Sequence, residues 1–127
     1  MVRPAEASML TGQLSAQASK RVVKERALIE KNPLYDLNIF VMWDPEHNHK
    51  CKGLVIGPPD TPYAYGLYLF DITFPNNYPL KPPSVKFCTN DGRVRMNPNL
   101  YIDGKVCLSI LGTWQGPSWT AACTLRT

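Results

Sequence analysis

The stretch Pro75-Asn-Asn-Tyr-Pro-Leu-Lys-Pro-Pro83 places four prolines within nine residues. Each proline fixes its own φ, removes a backbone donor and steers the preceding residue away from helical geometry. Neither a helix nor a central strand can run through such a segment. It must be a stiff, exposed connection, and rigid loops of this kind suit recognition. It also divides the chain. Before it, strand-like runs alternate with turn residues, whereas the residues after Cys88 carry mainly turn signals: Asn90-Asp-Gly92, Asn97-Pro-Asn99, Asp103-Gly104 and Gly112. The path from Cys88 onward is therefore largely irregular, and long irregular segments inside compact domains are usually functional.

Upstream, Leu14, Ala18, Val22 and Ile29 share one helical stripe while Lys20, Arg21, Lys24 and Arg26 cover the rest, which predicts a basic, amphipathic helix. Asn32-Pro33 ends it. The runs Leu37 to Trp43, Lys50 to Ile56, Tyr65 to Phe74 and Ser84 to Cys88 predict four strands, and their short spacing favours an antiparallel meander. In the third run Tyr68, Phe70, Ile72 and Phe74 alternate with Leu67, Leu69, Asp71 and Thr73. Aromatic bulk thus gathers on one pleat face, which is expected to pack on a helix. The expected fold is α+β: a core domain over residues 15–127, preceded by a flexible segment over 1–14.

Composition narrows the functional classes. A chain of 127 residues makes one domain, and 44% apolar with 19% charged residues is ordinary for a globular protein. No apolar run approaches the roughly 20 residues that span a bilayer, so no membrane role is expected. The start, Met1-Val-Arg-Pro-Ala-Glu6, lacks the apolar core of a secretory signal and carries an acidic residue unsuited to a transit peptide, so a cytoplasmic or nuclear address is expected. The net charge of +4 is spread among acidic residues and does not demand nucleic acid. Cys51, Cys88, Cys107 and Cys123 show no paired spacing for a zinc finger or disulfide framework. His47, His49 and Cys51 alternate, so on a strand they would share a face able to bind a metal, against an ordinary polar hairpin turn; the turn is preferred and no metal is expected. The same histidines are the only bases available to a cysteine hydrolase, and no third orienting residue marks one.

Tyr78-Pro-Leu-Lys-Pro-Pro83, Asn97-Pro-Asn99, Gly104-Lys-Val-Cys-Leu108 and Trp119 follow one another in an order that resembles the ubiquitin-conjugating enzymes. Gly57-Pro-Pro-Asp-Thr-Pro-Tyr63 adds a matching loop, and the resemblance runs from about Ser19 to Thr120. The run from Cys107 to Trp119 looks most like the large conjugating enzymes, including the one paired with the alternative activating enzyme. The resemblance implies that Cys107 carries ubiquitin or a ubiquitin-like protein as a thioester and that Asn99 donates to the developing oxyanion. An amide suits that role, since it donates without adding a charge. It further implies partner contacts at Lys20, Lys24, Leu80, Trp119 and Ala121, with an activating enzyme, a ubiquitin ligase and a protein substrate as the partners. No cofactor is implied, because the acyl group arrives already activated and ATP is consumed upstream. After the Gly104 turn, a backbone bend is expected to present the Cys107 sulfur at the surface beside an apolar wall.

Two positions depart from the family pattern. Asn97 stands where histidine is common, so the loop must rest on different hydrogen bonds. Ser109 stands where many members place the aspartate that helps the incoming lysine; Asp103 is the neighbouring carboxylate, although a role in a solvated Asp-Gly turn is the preferred reading for it. Family members continue beyond the tryptophan with a long core helix, whereas here Thr120-Ala-Ala-Cys-Thr-Leu-Arg-Thr127 follows. That reads as a core domain incomplete at its C-terminus, with low stability in isolation. It leaves a second reading open, a non-catalytic binding module that keeps the partner surface.

Overall fold

The computed structural model describes residues 14–89 and 96–127. Most of the expected N-terminal segment 1–14, and the Asn90-Asp-Gly92 turn, lie outside them. Helix α1 spans Ala16–Lys31, and the Ser15 hydroxyl caps it by accepting the Ala18 N–H at 3.1 Å. Its buried residues are Ala18, Val22, Glu25 and Ile29, a stripe at helical spacing with a carboxylate in the middle. Asn32 closes the last turn by donating to the Leu28 carbonyl at 3.0 Å, and Pro33 has no N–H with which to continue. A 3-10 turn, Tyr35–Leu37, follows.

Four strands come next: β1 Ile39–Trp43, β2 Lys50–Ile56, β3 Leu67–Thr73 and β4 Ser84–Phe87. They form one antiparallel meander in the order β1-β2-β3-β4. Four boundaries are tighter than expected. Leu37 belongs to the 3-10 turn, and Asn38 is left-handed at φ 56°, so β1 begins only at Ile39. Tyr65 is likewise left-handed at φ 62°, which shortens the start of β3. At the other end Phe74 leaves the strand but stays buried, and β4 stops before Cys88.

Register places Trp43 opposite Cys51, Cys51 opposite Ile72, and Ile72 opposite Val85. At this end of the inner face α1 docks, so that Ala18 and Val22 join Cys51, Ile72, Phe74 and Tyr78 in the core. Burial holds the Cys51 thiol up to about 12. Phe74 and Tyr78 are 2% and 1% exposed, and each such side chain contributes about 1.5–3 kcal/mol by leaving water. The aromatic stripe of β3 does not meet the helix along its whole length. Only its Ile72–Phe74 end does; Phe70 packs on Phe87 at 5.2 Å between centroids, and Tyr68 on Phe87 and Tyr63 at 6.3 and 5.9 Å. The expectation of a single helix-covered face is corrected accordingly.

The β1–β2 connection is a polar turn built by Asp44, whose carboxylate accepts the N–H groups of Glu46 and His47 at 2.8 and 2.9 Å. His47 faces Asp44 at 3.2 Å, His49 is buried, and Cys51 points into the core. Among the described residues no group of three metal-ligating side chains forms, so the alternation of these three residues reflects a turn leading into a strand. The β2–β3 loop folds tightly on Gly57, where a Cβ would lie 1.6 Å from the Tyr63 carbonyl oxygen. Only glycine permits that approach. The last helical element among the described residues is the 3-10 turn Ser109–Leu111.

Candidate functional site

The proline-rich connection is anchored from inside. Tyr78, followed by a cis bond to Pro79, buries its ring against Phe74 at 4.8 Å and Trp119 at 5.8 Å. Its hydroxyl donates to Glu25 Oε1 at 2.8 Å. Burial and then the neighbouring Glu25 push the Tyr78 hydroxyl well above the usual tyrosine range. The Trp119 indole donates to the Pro79 carbonyl at 2.7 Å, which ties the far end of the active-site segment to this loop. Leu80, next along, is 75% exposed and is not a core residue.

Glu25 is the hub that sequence reasoning missed. Only 3% exposed, it accepts the Leu125 N–H at 2.6 Å besides the Tyr78 hydroxyl and pairs with the Arg21 guanidinium at 2.7 Å. Arg21 in turn donates to the carbonyls of Ala121 and Cys123 at 3.0 and 2.9 Å, and Arg126 donates to the Asn32 carbonyl at 2.7 Å. The segment after Trp119 is thereby fastened along α1. Of the expected partner residues, Lys20, Lys24 and Ala121 are exposed and Trp119 is half-buried. Arg21, between Lys20 and Lys24, holds Ala121, and Trp119 holds Pro79 beside Leu80, so a chain of bonds links α1, both loops and the C-terminal segment.

Cys107 lies in the irregular segment that returns past β4. Gly104 turns the chain at φ 94° and approaches β4 so closely that a Cβ would sit 2.9 Å from both the Lys86 side chain and the Phe87 carbonyl. The Phe87 N–H donates to the Gly104 carbonyl at 2.8 Å; Lys105 then bridges to Lys86, and Val106 to Leu100. This double attachment buries Val106 and leaves Cys107 only 1% exposed. The expected surface position of the sulfur is therefore corrected: the bend tucks Cys107 under the segment instead of presenting it.

The structure brings Asn99 and Cys107 together. The Cys107 N–H donates to the Asn99 carbonyl at 2.8 Å, and the Asn99 side-chain amide donates to the Cys107 carbonyl at 2.6 Å. One of the two amide N–H donors is thus engaged with the cysteine's own backbone. Asn97 orders the loop from the other side: its oxygen accepts the Asn99 N–H at 2.8 Å, and its amide donates to the Tyr63 hydroxyl at 2.9 Å. Tyr63 donates onward to the Met96 carbonyl at 3.1 Å, which gives the Gly57–Tyr63 loop a role in the site. Asp103 accepts the Lys105 N–H at 3.0 Å as the hinge of the Asp-Gly turn. Ser109 packs against the Gly116 turn, where a Cβ would meet its side chain at 3.0 Å.

The family model for the ubiquitin-conjugating enzymes matches residues 21–127. The chain is 50% identical over 113 residues to a probable ubiquitin-conjugating enzyme protein 17 of Caenorhabditis elegans, covering 84% of this chain and 16% of that one. It is 45% identical over 107 residues to the human ubiquitin-conjugating enzyme E2 Z, covering 84% of this chain and 30% of that one. The chain thus spans well under half the length of these relatives. Among solved structures, human ubiquitin-conjugating enzyme E2 G1 superposes with a TM-score of 0.75 at 32% identity, covering 89% of this chain and 88% of that one. The family model covers well over half of the chain and the fold superposes on a solved member, so the chain belongs to the ubiquitin-conjugating enzyme family.

Proposed function

We propose that this chain accepts ubiquitin or a ubiquitin-like protein from an activating enzyme as a thioester on Cys107 and passes it to a substrate lysine with the help of a ligase. The observation that carries the reading is the reciprocal pair of bonds between Asn99 and the Cys107 backbone, which holds an amide donor at the cysteine in a chain of this family. In loading, the Cys107 thiolate attacks the carbonyl carbon of the modifier's C-terminal thioester. The new C–S bond forms, negative charge collects on the carbonyl oxygen, and collapse expels the activating enzyme's sulfur as thiolate. In discharge a lysine amine attacks the same carbon, loses a proton, and displaces the Cys107 thiolate. The second Asn99 N–H is the donor for the oxyanion in both steps.

Ser109 has no carboxylate with which to take the lysine's proton, and Asp103 is exposed and engaged in its turn. Proton removal therefore falls to solvent or to a group supplied by the partner. Lys20, Lys24, Leu80, Trp119 and Ala121 form the docking face for activating enzyme and ligase, with Leu80 as the apolar anchor. The cytoplasm or nucleus is the setting in which these partners are met. Incubation with activating enzyme, ATP and labelled ubiquitin tests the reading: a reductant-sensitive adduct is expected, and Cys107→Ala abolishes it. A folded chain that takes no modifier from any activating enzyme of the class would be a non-catalytic binding module instead.

A further inference from the structure

Resting on the proposed role of Cys107, the geometry points to Thr113 as a positioning residue for the nucleophile. The conformation at Cys107 is set by the two peptide planes on either side of its Cα. In the first plane, the Cys107 N–H donates to the Asn99 carbonyl, and the Val106 carbonyl accepts the Thr113 hydroxyl at 2.6 Å. In the second, the Cys107 carbonyl accepts the Asn99 amide, and the Leu108 N–H donates back to the Thr113 hydroxyl oxygen at 3.0 Å. Each plane is therefore held at one end by Asn99 and at the other by Thr113.

The Thr113 N–H donates to the Leu108 carbonyl at 3.3 Å, so backbone and side chain grip the same stretch. Cys107 lies in no helix or strand, and Leu108 is only the cap of the short Ser109–Leu111 turn. Asn99 and Thr113 thus take the place that a regular hydrogen-bond ladder would otherwise have in fixing the direction of Cβ and the sulfur. The arrangement has a second consequence. The Leu108 N–H is already committed to the Thr113 hydroxyl and is therefore not free to meet the oxyanion.

Three proteins test this: wild type, Thr113→Val, which keeps the shape but removes the hydroxyl, and Thr113→Ser, which keeps the hydroxyl. In thioester formation with charged activating enzyme, the valine variant should lose about tenfold to a hundredfold in maximal rate, as expected of small misplacements at a reacting centre. Its half-saturating concentration of activating enzyme should stay within about twofold, and serine should recover the rate to within about threefold. A valine variant loading at the wild-type rate, or a loss that serine fails to recover, overturns the inference. A readout independent of the pathway is alkylation of Cys107 by iodoacetamide, followed by peptide mass. Valine should speed it at least threefold, roughly the scale of one lost hydrogen bond, and serine should leave it unchanged. Equal alkylation in all three overturns the clamp, whereas the expected pattern in a chain that takes no modifier removes the proposed function and leaves the clamp standing. If the valine variant fails to fold, hydrogen exchange on the wild type decides: the Leu108 amide should be protected, and an amide exchanging at the open-chain rate overturns the inference.

Discussion

Replacing Glu25 by alanine removes an acceptor shared by α1, the Tyr-Pro loop and the C-terminal segment. Three donors lose their partner together: the Tyr78 hydroxyl at 2.8 Å, the Leu125 N–H at 2.6 Å and the Arg21 Nε at 2.7 Å. Hydrogen bonds to a charged group are worth about 1.5–3 kcal/mol each, but simple addition overstates the loss. Arg21 keeps its bonds to the Ala121 and Cys123 carbonyls and retains 28% exposure, so water still reaches it. Breaking a buried pair from one side costs about 3–5 kcal/mol, and that is the expected loss. Against net stabilities of about 5–15 kcal/mol it is a large share. With a urea slope near 2 kcal/mol per M, the unfolding midpoint should drop by about 2 M. Tyr78→Phe removes a single bond and should cost about 1.5–3 kcal/mol. The double variant should cost less than the sum, since both changes delete the same bond. A Glu25→Ala midpoint within about 0.3 M of wild type would refute the view that this carboxylate holds the three segments together.

Three further outcomes follow from single contacts. Burial, and then the nearby Lys50 and His47 charges, hold the His49 pKa below the usual 6.5. The folded chain therefore disfavours protonation, the stabilisation is present above pH 6.5, and it is lost as pH falls; His49→Gln should flatten melting temperature against pH between about 6.5 and 5. Asn99→Ala should lower the single-turnover discharge rate by about 10²–10³, the usual loss for an oxyanion donor, read by quenched-flow gels; a change under about threefold would remove Asn99 from the chemistry. Leu80→Ala should leave the melting temperature within about 2 °C, because Leu80 is 75% exposed, yet weaken binding of activating enzyme or ligase by about tenfold in titration calorimetry.

The sequence made some of this legible for definite reasons. The bounds Lys50 to Ile56 coincide with β2 because Lys50 follows a polar turn and Gly57 can accept the close approach of Tyr63. The placing of Asn99 at Cys107 is what the resemblance to the family implies, since an asparagine after proline read by itself is a turn former. The role of Glu25 could not be expected, because an apolar stripe through Ala18, Val22 and Ile29 says nothing about a carboxylate whose partners lie at Tyr78 and Leu125. The one signal was its spacing, three residues after Val22 and four before Ile29, on the face that had to be buried. Burial of Cys107 was hidden for a similar reason: it depends on Gly104 meeting Lys86 and Phe87, a contact between a turn and a strand that no local pattern encodes.

The most direct test of the account is to charge a Cys107→Ser variant under the loading conditions and ask how the adduct breaks. If Cys107 is the acceptor, serine at that position will form an oxygen ester, so the band will survive reductant and disappear in mild base. If the band remains reductant-sensitive, the modifier sits on Cys51, Cys88 or Cys123, and the assignment of Cys107 as nucleophile is wrong.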